Sequence, residues 1–324
     1  MASQTVIITG ATQGLGYYAA QTLAGQGYTV VLAGRNPKKN ETAADAIRKT
    51  TSNRNVYAMT LDLASLASVG QFVQNFTSRT DLPPLFGLIN NAGLQIVGPT
   101  ELTADGVEMT FGVNHLGHFR LTNLLLPHFA KTGRIVVVSS GTHDPNEPLA
   151  KATGVIPPAY TTAEELAYPD RVSTKLALED PAKVGTMRYS TSKLCNLLFA
   201  YELVRRLEQQ GRTGLTVNAY DPGLMPGSGL ARQQKPVIQW VWNNVLPVLR
   251  LLPGVGSTQT SGPLLAQLVS DPAFSDVTGK YFYFHRPGDR REKPSSPESY
   301  DPDKARDLWE ESERLVATKN LIGL

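Results

Sequence analysis

Val6-Ile7-Ile8-Thr9-Gly10-Ala11-Thr12-Gln13-Gly14-Leu15-Gly16 runs from an apolar, β-branched segment into three glycines, and an alanine-rich helical pattern follows to about Gly25. This is the order strand, tight turn, helix N-terminus. Glycine admits positive φ and lets the backbone approach a bound group closely. The first helical turn offers unpaired N–H groups and the positive end of a dipole to an anion. A turn of this kind, closing a first strand, suits a dinucleotide pyrophosphate. The candidates for holding it are Gly10, Thr12, Gln13, Gly14, Leu15 and Gly16. The spacing Gly-x-x-x-Gly-x-Gly differs from the usual Gly-x-Gly-x-x-Gly, so this stretch alone reads equally as a glycine turn without a ligand.

Outward from that stretch, strand-like runs alternate with helix-like ones. Strands are expected at 6–8, 29–33, 56–60, 86–89, 134–139, 215–220 and 280–284. Helices are expected at 15–25, 38–50, 66–78, 115–129, 189–210, 258–268 and 303–317. Such alternation implies parallel strands joined by right-handed crossovers. The simplest account is an α/β fold: one doubly wound domain of Rossmann type over 1–324, with a seven-stranded parallel sheet, helices on both faces and a lid-like insertion. Asp301 followed by Pro302 is a good cap and first-turn pair for the last helix.

Two stretches break the rhythm. Residues 141–187 form a Pro-, Thr- and acid-rich interval far longer than an ordinary connection, expected to be an active-site loop. Residues 228–253 hold Val237-Ile238-Gln239-Trp240-Val241-Trp242 and the run Leu246–Leu252. A lid over an apolar substrate, a surface-lying membrane contact and a core helix all remain open there.

The chain has 324 residues, 41% of them apolar and 18% charged, which is ordinary for a globular protein with a sizeable core. A net charge of +3 with scattered Lys and Arg does not indicate nucleic acid. One cysteine, Cys195, excludes an internal disulfide and fits a reducing compartment, so the cytoplasm is expected. Met1 to Gln4 lead straight into a strand, leaving no room for a signal peptide. No run of about 18 apolar residues is present to span a membrane. Five histidines without partners at ligand spacing suggest no metal. His143 is expected to be an exposed loop residue.

The second strand ends Ala33-Gly34-Arg35-Asn36, where a protein selecting NAD usually carries an acid for the ribose hydroxyl. Arg35 instead suits a 2′-phosphate, so NADP(H) is favoured, with Asn36 beside it. Asp62 and Leu63 follow the third strand; Asp62 reads either as an acceptor for the adenine amine or as a first-turn acid. Asn90-Asn91-Ala92-Gly93 follows the fourth strand at the carboxyl end of the sheet, where open α/β sheets bind ligands.

Tyr189 and Lys193 stand four residues apart on a helical pattern, so both heads can reach one pocket. A nearby ammonium favours phenolate and is expected to bring the tyrosine toward its working range. Upstream, the fifth strand ends in Ser139-Ser140, where a hydroxyl can donate to a carbonyl in the same pocket.

With these residues in order, the chain resembles the short-chain dehydrogenase/reductase family along its whole length. The resemblance rests on Thr9-Gly10-x-x-x-Gly14-x-Gly16, Asn90-Asn91-Ala92-Gly93, Asn114, the serine pair, Tyr189-x-x-x-Lys193 and Pro222-Gly223. It implies that Tyr189 gives or takes the proton on the carbonyl oxygen. It also implies that Lys193 holds the nicotinamide ribose, that Ser140 rather than Ser139 polarises the carbonyl, and that Asn114 holds a relay water. Asn91, Ala92, Gly93, Pro222, Gly223 and Ser228 would line the nicotinamide side.

Asn114-His115-Leu116-Gly117-His118-Phe119, Ser192-Lys193-Leu194-Cys195-Asn196 and Leu308-Trp309-Glu310-Glu311-Ser312-Glu313 are most similar to the branch of retinol dehydrogenases and light-dependent protochlorophyllide reductases. The photoenzyme pattern has a cysteine where this chain has Leu224, and usually another where it has Gly34. The expectation is therefore a dark NADP(H)-dependent reductase or dehydrogenase of an apolar ketone, aldehyde or alcohol, with light-dependent reduction as its rival. A nucleotide-sensing module without turnover is a further rival, opposed by the intact Tyr189 and Lys193. Relatives often pair through the helices beginning near Asn114 and Tyr189, so a homo-oligomer is open to this chain.

Overall fold

The structure is a computed structural model that describes residues 4–152, 154–170, 180–226, 248 and 252–320. Eight strands form one sheet: β1 (Thr5–Thr9), β2 (Thr29–Gly34), β3 (Val56–Thr60), β4 (Leu85–Asn90), β5 (Phe129–Val138), β6 (Leu215–Asp221), β7 (Tyr281–Arg286) and β8 (Asp289–Glu292). Their spatial order is β3-β2-β1-β4-β5-β6-β7-β8. The first seven are parallel and β8 returns antiparallel to β7. The sheet thus has one strand more than the seven expected. Asp289-Arg290-Arg291-Glu292 escaped the reading because four charged residues show no apolar alternation; pairing with β7 makes them a strand.

Strands buried on both faces need apolar residues throughout, and β1, β2 and β4 supply them. One face is covered by α1 (Gly14–Gly25), α2 (Pro37–Thr51) and α9 (Thr258–Ser270), through Leu15, Leu23, Ile47 and Leu265 among others. The opposite face packs on α3 (Leu66–Thr77), α5 (Gly117–Leu125) and α8 (Pro181–Gln209), through Phe72, Phe119 and Phe199. α10 (Pro302–Asn320) lies outside that second layer, with Trp309 edge-on to Phe119 at 4.9 Å between ring centroids. α1 and α9 meet so closely that a Cβ on Gly262 would stand 2.6 Å from Tyr18 Cβ. No helix among the described residues is long and apolar enough to cross a membrane.

The terminus expected from Asp301-Pro302 is present: Asp301 accepts from Asp303 N and Lys304 N at the start of α10. Asn36, read from sequence as a cofactor contact, caps α2 by accepting from Lys39 N. Three boundaries differ from expectation. α8 starts eight residues before Tyr189, at Pro181, where Asp180 accepts from Ala182 N as its cap. The interval 141–187 is accordingly not one loop. Its described part holds a 3-10 turn at Gly141–His143 and short helices α6 (Pro148–Ala152) and α7 (Ala163–Ala167). The helix expected at 115–129 begins as α4 (Met109–Phe111), passes through a π-helical turn at Gly112–Leu116 and ends with α5, after which β5 already starts at Phe129. Most of 228–253 lies outside the described residues.

Candidate active site

β1 and β4 are adjacent while their chain connections lead to opposite sides, and ligands bind at such a switch point. A cleft of about 1470 Å³ opens there among the described residues. Its walls include Gly10, Thr12, Gln13, Gly14, Leu15, Arg35, Asp62, Leu63, Asn91, Ala92 and Gly93, together with Ser140, Tyr189, Lys193, Pro222 and Gly223. Sixteen residues singled out from sequence therefore share one cavity. Gly16, Asn36 and Asn114 are not on its surface, and Ser228 lies outside the described residues. Asn36 is instead spent on capping α2, with its side-chain oxygen taken by Lys39 N.

The glycine turn is held by a small polar lattice. Gly10 and Gly14 take φ of +67° and +65°, which side-chain-bearing residues rarely adopt. Thr9 Oγ1 accepts from Asn91 N and Ala92 N, both at 2.9 Å, and Asn91 Nδ2 donates to Thr9 O at 2.7 Å. The loops after β1 and β4 are thereby locked together, which is the structural use of Asn91. His118, buried on α5, sits 3.1 Å from Asn114 O through Nδ1 and 2.9 Å from Thr9 Oγ1 through Nε2. A carbonyl only accepts, so Nδ1 carries the proton and Nε2 accepts from the threonine hydroxyl. Burial lowers this histidine to about 4, keeping it neutral.

Asn114 lies in the π-helical turn, a feature frequent at functional positions. Its Oδ1 accepts from Leu94 N, and its Nδ2 donates to Leu94 O and Ser192 Oγ, each at 2.9 Å. With the side chain so committed, Asn114 ties the segment after Gly93 to α8 behind the cleft wall.

At the reacting end the two serines separate. Ser139 Oγ donates to Lys193 O at 2.9 Å, so its hydroxyl is tied to the helix. Ser140 stands on the cleft wall with its side chain hydrogen-bonded to the Tyr189 phenol. Lys193 Nζ lies 5.5 Å from the Tyr189 ring centroid and donates to Val138 O at 3.3 Å. A Cβ on Gly93 would lie 3.4 Å from that ammonium, an ordinary van der Waals contact, so Gly93 borders the lysine head.

The electrostatics differ from expectation. Burial drives the Tyr189 phenol well above the ordinary range, Asp221 pushes the same way, and the Ser140 hydrogen bond opposes them. Desolvation outweighs any help from the neighbouring ammonium, and the tyrosine is held as a protonated phenol. Burial lowers Lys193 itself to about 8, with Asp221 acting in the opposite sense. Asp221 ends β6, lines the cleft, and accepts from Gly223 N at 2.9 Å and from Tyr281 Oη at 3.1 Å. Sequence reading missed it, although its place directly before Pro222-Gly223 was a usable signal. Thr9 and His118 were read from sequence only as motif positions, with no role assigned. His143, expected to be exposed, is buried, because Tyr281 and the segment around Ser296 close over it.

A doubly wound sheet with a glycine turn at its switch point, and a Ser–Tyr–Lys group in the same cleft, defines a dinucleotide-dependent oxidoreductase scaffold. The model of the short chain dehydrogenase family matches residues 4–151. Protochlorophyllide reductase A, chloroplastic, of Oryza sativa subsp. japonica is 38% identical over 325 residues, spanning 96% of this chain and 80% of that protein. Retinol dehydrogenase 13 of Homo sapiens is 37% identical over 330 residues, spanning 97% and 84%. Among solved structures, an uncharacterized protein from Mycobacterium Paratuberculosis superposes with a TM-score of 0.67 at 31% identity, covering 97% of this chain and 93% of that one. The chain belongs to the short-chain dehydrogenase family, in the branch of retinol dehydrogenases and protochlorophyllide reductases.

Proposed function

We propose that this chain is an NADP(H)-dependent carbonyl reductase or alcohol dehydrogenase acting on an apolar ketone, aldehyde or alcohol. The observation that carries the reading is the joining of Ser140, Tyr189 and Lys193 with the glycine turn and Arg35 in one cleft. The donor set fits the cofactor: the Gly10–Gly14 turn and the start of α1 for the pyrophosphate, and the exposed Arg35 for a 2′-phosphate. When bound, NADPH supplies the hydride. The chain's own residues do the rest. Ser140 donates to the carbonyl oxygen and orients it, and Tyr189 holds the proton that this oxygen receives. Lys193, charged below about pH 8, offsets negative charge developing on the phenol. A phenol kept protonated by burial supports reduction as the working direction.

Apolar substrates are supported by Leu94, Leu149, Val155, Leu224 and Met225 on the cleft wall. Most of the expected lid region, 228–253, lies outside the described residues and adds nothing to this. The likeness to a protochlorophyllide reductase favours a second reading, light-driven reduction of a large conjugated pigment. Leu224 stands on the cleft wall directly after Pro222-Gly223, where the photoenzyme pattern has cysteine, and this favours the dark reaction. The test is NADPH consumption in the dark against a panel of apolar ketones and aldehydes, with NADH as control. Dark turnover with NADPH preferred is the expected result. Turnover only under illumination, and only with a chlorophyll precursor, would overturn it in favour of the photoenzyme.

A further inference from the structure

His143 closes the 3-10 turn that begins one residue after Ser140, and only 1% of it is exposed. Its Nδ1 lies 2.6 Å from Ser140 O, and Ser296 N donates to its Nε2 at 3.0 Å. The first partner only accepts and the second only donates, so one state satisfies both: a neutral ring with its proton on Nδ1. The ring also meets Tyr281 edge-on, at 5.1 Å between centroids and 71° between planes. Tyr281 in turn donates to Asp221, which lines the cleft. One imidazole therefore links the carbonyl of the cleft serine to a chain segment 153 residues away.

We propose that His143 is a positioning residue that fixes the backbone of Ser140, and thereby aims the serine hydroxyl at Tyr189 and the substrate carbonyl. This rests on the reading of Ser140 given above. Two short bonds on opposite edges of one buried ring leave the ring no rotational freedom. The Ser140 carbonyl, anchored at 2.6 Å, then has little freedom to turn the residue's φ and ψ. A serine free to shift by an ångström would lose alignment, and misplacement of that size costs roughly 100-fold at worst.

The arrangement also sets a pH dependence. Burial holds the ring below the ordinary histidine range. The hydrogen bond to Ser140 O and the charges of Asp221 and Asp144 pull the other way, and Lys293 reinforces burial. Tyr281 and Glu147 are further titratable groups on the neighbouring elements: Tyr281 faces the ring, and Glu147 pairs with Lys293 at 2.5 Å. A second proton on Nε2 would confront the Ser296 N–H with another donor. The link is therefore intact at neutral pH and breaks on acidification.

The two planar amides separate the two ends of the ring. Asparagine places its N–H near the Nδ1 position, whereas glutamine places its oxygen near Nε2. His143→Asn and His143→Gln are compared with the wild type and with Ser140→Ala for kcat, KM, NADPH affinity by fluorescence, and thermal stability. Expected is a kcat near wild type for His143→Asn, without the acid limb of its pH profile. His143→Gln is expected to lose about 10-fold or more in kcat with NADPH affinity unchanged. Full kcat in His143→Gln, or equal losses in both variants that follow their stability, would overturn the proposal while leaving the reductase reading in place. Wild type without turnover on any carbonyl would overturn both. Independently of turnover, long-range proton–nitrogen correlation of the wild-type ring should show the Nδ1–H form, and the Nε2–H form would sink the idea.

Discussion

Two buried groups of opposite tendency meet at the reacting end of the cleft. Tyr189 is pushed toward phenol and Lys193 toward free amine, both by desolvation. Replacing Tyr189 with phenylalanine removes the transferable proton with little change of volume. Turnover should fall by roughly 10²–10⁴-fold while NADPH still binds. A variant with full activity would remove Tyr189 from its assigned place. Lys193 contributes its charge below about pH 8 and loses it above. The profile of kcat/KM, which reports the free enzyme, should therefore bend downward on the alkaline side near pH 8. A profile flat to pH 10 would show that the lysine charge is not needed. At this scale the sequence was most informative about residues whose backbone geometry and chemistry coincide, such as Gly10, Gly14, Tyr189 and Lys193. It misplaced His143 as an exposed residue, because nothing local to Gly-Thr-His-Asp shows that Ser296 and Tyr281 will cover the ring.

Among the elements, α8 shows how a cap can be overlooked. The apolar pattern of 189–210 was legible, yet Asp180-Pro181 carries the same signal that correctly marked the start of the last helix. Loss of the Asp180 cap in Asp180→Ala should cost about 1 kcal/mol, seen as a lowered melting temperature without change in kcat. The π-helical turn at Gly112–Leu116 was not legible: the helix was expected to start only at 115, and an i→i+5 turn carries no residue signature of its own. β8 failed for the opposite reason: its strand character comes from its neighbour, not from its own residues. The segment from α4 to α5 carries two buried neutral histidines, His115 lowered to about 3 and His118 to about 4. In the unfolded chain each takes its proton near pH 6.5. The unfolded state thus binds more protons below that value, and stability should decline as pH falls from about 6.5 toward 4. Thermal melts across that window check the sign; a melting temperature that rises on acidification would contradict it.

For the whole molecule, the outer surface of α5 and α8 is the region where relatives often pair. Here the chain covers it with its own α10. Trp309 packs between Phe119 and Phe199, with Arg206 over its ring at 4.4 Å, and His115 bonds Ser312 at 2.8 Å. With these side chains of α5 and α8 spent on α10, the expected solution mass by light scattering is that of one chain. A stable tetramer would overturn this.

The close seat of Gly262 against α1 has a consequence for the order in which the chain is made. The glycine turn is synthesised well before the helix that covers its outer side, α9, which starts only at Thr258. Until then Leu15, Ala19 and Leu23 lack their partners Leu264, Leu265 and Leu268. A nascent chain halted before Thr258 would display that apolar stripe, and with it a surface suited to chaperone capture.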